Sequence, residues 1–375
     1  YGDGVTQDDA EAVKWFRLSA DQDFDRGQYN FGEAYYYGKG VDQDYAEAAS
    51  WFRKAADQGH DGAQNYLGWM YQYGQGVTQD YAEAVNWYRK AAEQGNAGAQ
   101  YSLGIMYENG QGVTQDDTEA VNWYRKAAEQ GLAEAQCNLG VMYEYGSGVT
   151  QDYAEAVNWY RKAAEQGNAR GQCNLAFMYE FGRGVTQDYA QALEWCTKSA
   201  DQGYAAGQSR KGFLYYFGEG VKTDYKEARK WFQLAAEQGD AIGQCMMGVI
   251  YEEGNGVNVN LKEARKWYQL AADNGQEVAK QWLKDHPSSE KKMDAKQCFD
   301  QGNTYYNKGN YTEAMKWYRK AADQGLAAGQ YAVGNLYEYG KGVKKDYKEA
   351  RKWYQKAADQ GYQDAAAALE RIKWK

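Results

Sequence analysis

Proline is all but missing: Pro287 is the single one in 375 residues. This excludes a proline-rich linker or tail and leaves long helical tracts unbroken. Histidine is nearly as scarce, at His60 and His286, and neither belongs to a repeated pattern. Both read as surface residues. No Cys-x-x-Cys or His-x-x-x-His occurs, so the usual zinc spacings are absent, and neither a metal nor a cofactor is expected. No stretch approaches 18 apolar residues, which excludes a membrane-spanning helix. The five cysteines do not recur as two in each unit; unpaired thiols lean toward a reducing, cytoplasmic setting.

What the chain has instead is a clock. Trp15, Trp51, Trp87, Trp123, Trp159, Trp195, Trp231 and Trp267 follow one another every 36 residues, and Trp317 and Trp353 repeat the step after one longer gap. A fixed period of this size means stacked supersecondary units, each too small to bury its own apolar face. Such an array offers an extended surface rather than a closed pocket, so no enzyme is expected. Hydrophobic residues make up 43% of the chain, enough for a core. Mean hydropathy is still -0.90, because charged and amide side chains cover the exposed faces.

The net charge of -9 is unevenly placed. Residues 286–375 hold 17 Lys and Arg against 11 Asp and Glu, so the remainder, 1–285, carries 26 against 41. A long acidic block argues against a nucleic-acid partner, since phosphate binding needs a basic footprint.

Residues 133–168 show the unit. Ala135, Leu139, Met142 and Tyr143 fall at helical spacing and make one apolar stripe, helix A. Gly146-Ser147-Gly148 ends it. Asp152 stands as an N-cap with Glu155 three residues on, a capping-box arrangement. Ala156, Trp159, Tyr160 and Ala163 form the apolar face of helix B, and Gly167 closes it. The repeated Gly-x-Gly ends a helix, whereas a dinucleotide loop opens one after a strand. Gly140 sits inside helix A, at a cost of about 1 kcal/mol relative to alanine. Gly32, Gly68, Gly104, Gly212, Gly248 and Gly334 repeat it, and Ala176 replaces it once. Small size is therefore the requirement, and close helix approach is the reason.

Gln136, Leu139, Gly140 and Tyr143, followed by Ala156 and Tyr160, resemble the tetratricopeptide signature. The 36-residue length, the Gly-x-Gly-Val turn and the Trp-Tyr-Arg-Lys-Ala-Ala segment depart from it and resemble the Sel-one-like repeat family, a branch of that superfamily. The resemblance implies an all-α, right-handed α-solenoid of antiparallel hairpins that serves as an adaptor. It also implies settings that include bacterial secreted and host-interaction proteins, so periplasmic or secreted locations stay open beside the cytoplasmic one.

The period sets the boundaries. Residues 1–285 form a main array whose first unit lacks helix A, closed by a helix at 276–285. A linker covers 286–293, and 294–375 forms a shorter array with a capping helix at its end. The alternative is one long helix over 276–300. Because Tyr1-Gly2-Asp3-Gly4-Val5 matches the end of a helix A, the natural protein is expected to continue upstream.

In tetratricopeptide-type arrays helix A makes the concave wall. Carried over from the Leu-Gly anchor, four columns vary against the constant frame. The first contains Tyr29, Tyr101, Cys137, Cys173 and Cys245, and the second Trp69, Phe177 and Phe213. The third contains Tyr36, Glu108, Glu144, Glu180, Tyr216 and Glu252; the fourth Tyr37, Tyr73, Tyr145, Phe181 and Phe217. Neighbouring helices lie about 8–10 Å apart, too far for the aligned cysteines to pair. Cys196 stands at a core position of helix B and is expected to be buried. An aromatic groove with an acidic line suits a protein or peptide partner bearing basic and apolar residues. The alternative is a carbohydrate or cell-wall ligand stacked on the aromatic rows.

Overall fold

The computed structural model describes residues 8–287 and 293–373. Among them are twenty-one helices and no strand. The chain divides into two compact units, Tyr1–Lys284 and Asp285–Lys375. The first opens on a B helix, Asp9–Asp21, and continues with seven A/B pairs, from Asp25–Tyr37 with Tyr45–Asp57 to Ala241–Glu253 with Leu261–Asp273. The final short helix is Glu277–Asp285. The second unit holds Ala295–Asn307 with Tyr311–Asp323, Ala327–Tyr339 with Tyr347–Ala358, and Gln363–Arg371. Within each unit the helices pack chiefly on their neighbours in sequence, which makes the protein an all-α solenoid.

Local chemistry sets the hairpin. In the pair Ala133–Tyr145 and Tyr153–Glu165, Gly146 takes a left-handed φ of 71° and its amide donates to the Met142 carbonyl. Gly148 is needed for a different reason, since a Cβ there would lie 2.2 Å from the Asp117 carbonyl, where the turn presses on the preceding hairpin. Asp152 caps helix B by accepting from the amides of Ala154 and Glu155. The capping box expected at this pair is therefore corrected to a single aspartate cap. The reciprocal form occurs at Asp294, whose carboxylate accepts from the Gln297 amide while the Gln297 side chain accepts from the Asp294 amide. His60 is likewise more than a surface residue. Its Nδ1 accepts from the Ala63 amide at the start of helix Asp61–Tyr73, and its ring stacks on Tyr29 at 4.4 Å.

The frame glycine is explained by a ring. A Cβ on Gly140 would sit 2.6 Å from Cδ1 and Cε1 of Tyr160. Tyr88, Tyr124, Tyr268, Tyr318 and Tyr354 lie equally close to Gly68, Gly104, Gly248, Gly302 and Gly334. The close approach expected at these glycines is thus helix B laying an aromatic face on the backbone of helix A.

Units are joined by core and by polar bonds. Trp159 leaves its own hairpin to pack with Ala120, Val121 and Tyr124 of the preceding one, and the Lys162 ammonium stands 3.8 Å from its ring centroid. Gln136, buried, donates to the Ala128 carbonyl of the unit before and accepts from Gln166 of its own. The same bridge to the preceding unit recurs at Gln64, Gln100, Gln172, Gln208 and Gln330. Buried amides with both ends bonded fix the register without leaving an orphan polar group.

At the end of the first unit, Trp282 stacks on Tyr268 at 4.2 Å and donates to Glu252 at 2.8 Å. Glu277–Asp285 and Ala295–Asn307 are two helices, so the single long helix is not what forms. Most of the expected linker 286–293, and the opening Tyr1–Val5, lie outside the described residues. In the second unit, Gln363–Arg371 buries Ala365 and Ala368 against Ala350 and Tyr354.

Candidate functional site

Five A helices of the first unit end in a ring, while Ala97–Asn109 and Ala241–Glu253 end in Asn109 and Glu253. Tyr37, Tyr73, Tyr145, Phe181 and Phe217 each occupy the last helical residue before a left-handed glycine, and all are between 50% and 70% exposed. One turn earlier stand Trp69, Phe177 and Phe213. Trp69 is exposed, and the two phenylalanines are half-buried. The spacing of four residues brings the two columns together. Ring centroids lie 4.2 Å apart for Trp69 and Tyr73, 4.8 Å for Phe177 and Phe181, and 6.1 Å for Phe213 and Phe217.

The acidic column does not form the open line expected from the sequence. Glu144 and Glu180 are buried, and their carboxylates are occupied from within. The Tyr160 hydroxyl donates to Glu144 at 2.6 Å, and Arg210 pairs with Glu180 at 2.6 Å. Tyr124 donates to Glu108, and Tyr268 donates to Glu252 at 2.7 Å. Burial pushes these phenols above the ordinary tyrosine value, and the carboxylate each one donates to adds to the rise. Burial also raises Glu180, against the pull of Arg210.

The column obeys a rule set by helix B. Where helix B offers a tyrosine, helix A offers an acceptor: Gln72 for Tyr88, Glu144 for Tyr160, Glu338 for Tyr354. Where helix B has Phe52 or Phe232, which have no hydroxyl, helix A supplies Tyr36 or Tyr216. Tyr36 then donates to Gln75, and the buried Tyr216 to Glu253. The acidic line is therefore a packing code in the main.

The first column is mostly closed as well. Cys137, Cys173 and Cys245 are buried, and all five cysteines are free thiols. Cys196 is buried as expected. Burial pushes Cys137 up to about 11 and Cys196 up to about 12. Tyr29 and Tyr101 are half-buried, Tyr29 donating to Glu33 at 2.8 Å.

Sequence reasoning missed the arginines. A depression of about 210 Å³ opens between three successive A helices, with Val141 and Tyr145 on one side, Arg170, Asn174 and Phe177 in the middle and Arg210 beyond. Arg210 and Arg183 both lie on Phe177, at 4.7 and 4.9 Å from its centroid. The available signal was variation: Arg210 stands where neighbouring units carry Asn138, Asn174 and Met246.

Among the described residues, no helix is long and apolar enough to cross a membrane. The Sel1 repeat profile matches residues 1–24, 25–60, 62–96, 97–132, 133–168, 169–204, 205–240, 241–276 and 327–362, and a tetratricopeptide repeat matches 295–324. A crystal structure of c5321, described as a protective antigen of uropathogenic Escherichia coli strains with an SLR fold, is 38% identical over 96% of this chain and 82% of that one, with a TM-score of 0.64. A Sel1 repeat protein from Oxalobacter formigenes is 34% identical over 65% of this chain and 96% of that one, with a TM-score of 0.61. No curated protein matches. Nine matched repeats and a relative this similar over nearly the whole length carry the assignment: the chain belongs to the Sel1 repeat family.

Proposed function

We propose that this chain is a non-enzymatic scaffold that holds an extended segment of a partner protein along its A-helix face. Sel1 and tetratricopeptide-like repeats are in general protein-interaction scaffolds without catalysis. The observation that supports the finer reading is the row Tyr37, Tyr73, Tyr145, Phe181 and Phe217, exposed at one helical position in five units. Packing does not require these rings to face solvent, and exposed aromatic surface in series marks an interface. The partner expected from sequence, basic and apolar, is kept for its apolar half. Its basic half loses support, because the carboxylates meant to attract it are bonded within the fold. Assembly of a complex or contact with a host protein is the proposed setting, and likeness to the protective antigen supports it.

The test is binding of the intact chain to an immobilised random peptide panel and to a glycan panel. Binding to peptides by the native chain, lost when Tyr145, Phe181 and Phe217 are together changed to Ala, is the expected result. Helix content should persist, because these rings are exposed. Binding confined to glycans would replace the reading with a carbohydrate-binding one, and unchanged peptide binding by the triple variant would move the site elsewhere.

A further inference from the structure

Arg183 and Arg210 lie on Phe177 and Arg170 lines the same depression, and no other unit holds a cation at all three equivalent positions. At the position of Arg170 other units carry Arg26, Gly62, Gly98, Glu134, Ala206 and Ile242; at that of Arg183 they carry Lys39, Gln75, Gln111, Ser147, Glu219, Asn255 and Lys341, and at that of Arg210 they carry Tyr66, Asn138, Asn174 and Met246. Arg210 and Arg183 meet buried carboxylates of the frame, which leaves Arg170 as the cation of the three that the packing does not employ.

Two of the three arginines meet carboxylates. Glu144 is taken by the Tyr160 hydroxyl and faces Arg183 at 3.9 Å. Glu180 is taken by Arg210. Arg170 is exposed, and it donates to a neutral acceptor, the Asn138 side chain, at 2.9 Å. One guanidinium thus stands at the mouth with an amide for its partner and no carboxylate. Asn174 lies next to it, and Tyr145 offers an apolar face alongside. A guanidinium takes a carboxylate through two parallel hydrogen bonds, and a partly enclosed site strengthens them. The volume of about 210 Å³ leaves room for one or two side chains.

We infer that this depression takes the side-chain carboxylate of an aspartate or glutamate within the partner segment. Arg170 and Asn174 donate to that carboxylate, and an adjacent apolar residue rests on Tyr145. The inference rests on the groove reading above and gives it a register: one acidic residue seats the segment, and the aromatic row holds what flanks it. It also reverses the sign drawn from the acidic composition, since the group that meets the ligand is a guanidinium.

The experiment is a positional-scanning library of N-acetylated, C-amidated decapeptides applied to the intact chain. Asp or Glu should be enriched at one position, with an apolar residue beside it. Arg170→Ala should then weaken the selected peptide by about tenfold to a hundredfold, the span expected for a charged hydrogen bond. Arg170→Glu should shift the enrichment to Lys or Arg. Circular dichroism checks that these variants keep their helices, as an exposed side chain should allow. Peptides that bind with no acidic preference, or a preference untouched by Arg170→Glu, would overturn the inference and leave the groove reading standing. Binding only by free-acid peptides would assign the site to a terminal carboxylate and overturn the side-chain assignment. Failure of every peptide to bind would overturn both readings.

Discussion

Ala176 and Cys196 are a matched pair of departures from the frame. In the other complete hairpins a glycine of helix A lies under a tyrosine or phenylalanine of helix B, too close for any Cβ. In this hairpin both positions change, and the two residues share one fully buried cluster with Ala192 and Leu214. The small thiol leaves the room that the alanine methyl fills. The exchange has a second consequence: Cys196 supplies no hydroxyl, and Glu180 pairs instead with Arg210. One substitution in the packing is thus linked to the place where arginine enters the A-helix face.

The pair should be transferable. Gly140→Ala alone should destabilise its hairpin by about 1–3 kcal/mol, because the new methyl meets the Tyr160 ring. Combined with Tyr160→Cys, the steric part of that cost should vanish. A double-mutant cycle read by thermal or urea unfolding should therefore give a favourable coupling of about 0.5–3 kcal/mol. Strict additivity would mean that the ring does not set the glycine.

Alkaline pH should unfold the array through its phenols. Tyr88, Tyr124, Tyr160, Tyr268 and Tyr354 are all raised above the ordinary tyrosine value of 10.0, first by burial. Their folded values lie above the unfolded one, so the stability they contribute is whole below about pH 10. It falls as the pH rises toward the folded values, because the unfolded chain releases protons that the folded chain keeps. Melting temperature should decline steeply above about pH 10, with phenolate absorbance from these rings appearing only on unfolding. Tyr160→Phe should make the decline shallower.

The fold was legible because every unit repeats the same signals: a helical stripe, a Gly-x-Gly stop, an aspartate cap and a tryptophan clock. Repetition turns each weak local signal into a strong one. Exposed rings such as Tyr145 and Phe217 were legible for the same reason, since their column is aromatic in five units and polar only at Asn109 and Glu253. Glu144 was misread because a column of carboxylates looks alike whether it faces solvent or a buried hydroxyl. Its partner, Tyr160, lies sixteen residues on in another helix, and only packing brings them together. Arg170 and Arg210 escaped notice because they sit one unit apart, and no local window contains both.

The thiols should be inert in the folded protein. All five are buried, and burial holds Cys137 at about 11 and Cys196 at about 12. The reactive thiolate is scarce at neutral pH and shielded where it forms. Mass spectrometry after treatment with an alkylating reagent at about pH 8, below the ordinary thiol value, should find no adduct in the native chain. Five adducts should appear in denaturant. Fast native labelling of Cys137 or Cys196 would show that their hairpins open.

Glu144 and Tyr160 allow structural and ligand-facing roles of the acidic column to be separated. Glu144→Gln keeps an acceptor for the phenol, as Gln72 does for Tyr88 at 2.8 Å. Its effect on stability should be small. Tyr160→Phe keeps the ring over Gly140 but takes the hydroxyl away from the buried carboxylate, which should cost about 1–3 kcal/mol. In an array whose units touch only their neighbours, the loss should stay local. Hydrogen exchange should quicken in Ala133–Tyr145, Tyr153–Glu165 and the hairpins on either side, and remain native in residues 293–373. If Glu144→Gln left stability intact but abolished the salt dependence of peptide binding, the carboxylate would belong to the ligand after all. A salt dependence that survives Glu144→Gln and disappears with Arg170→Ala would place the charge that matters on the arginine.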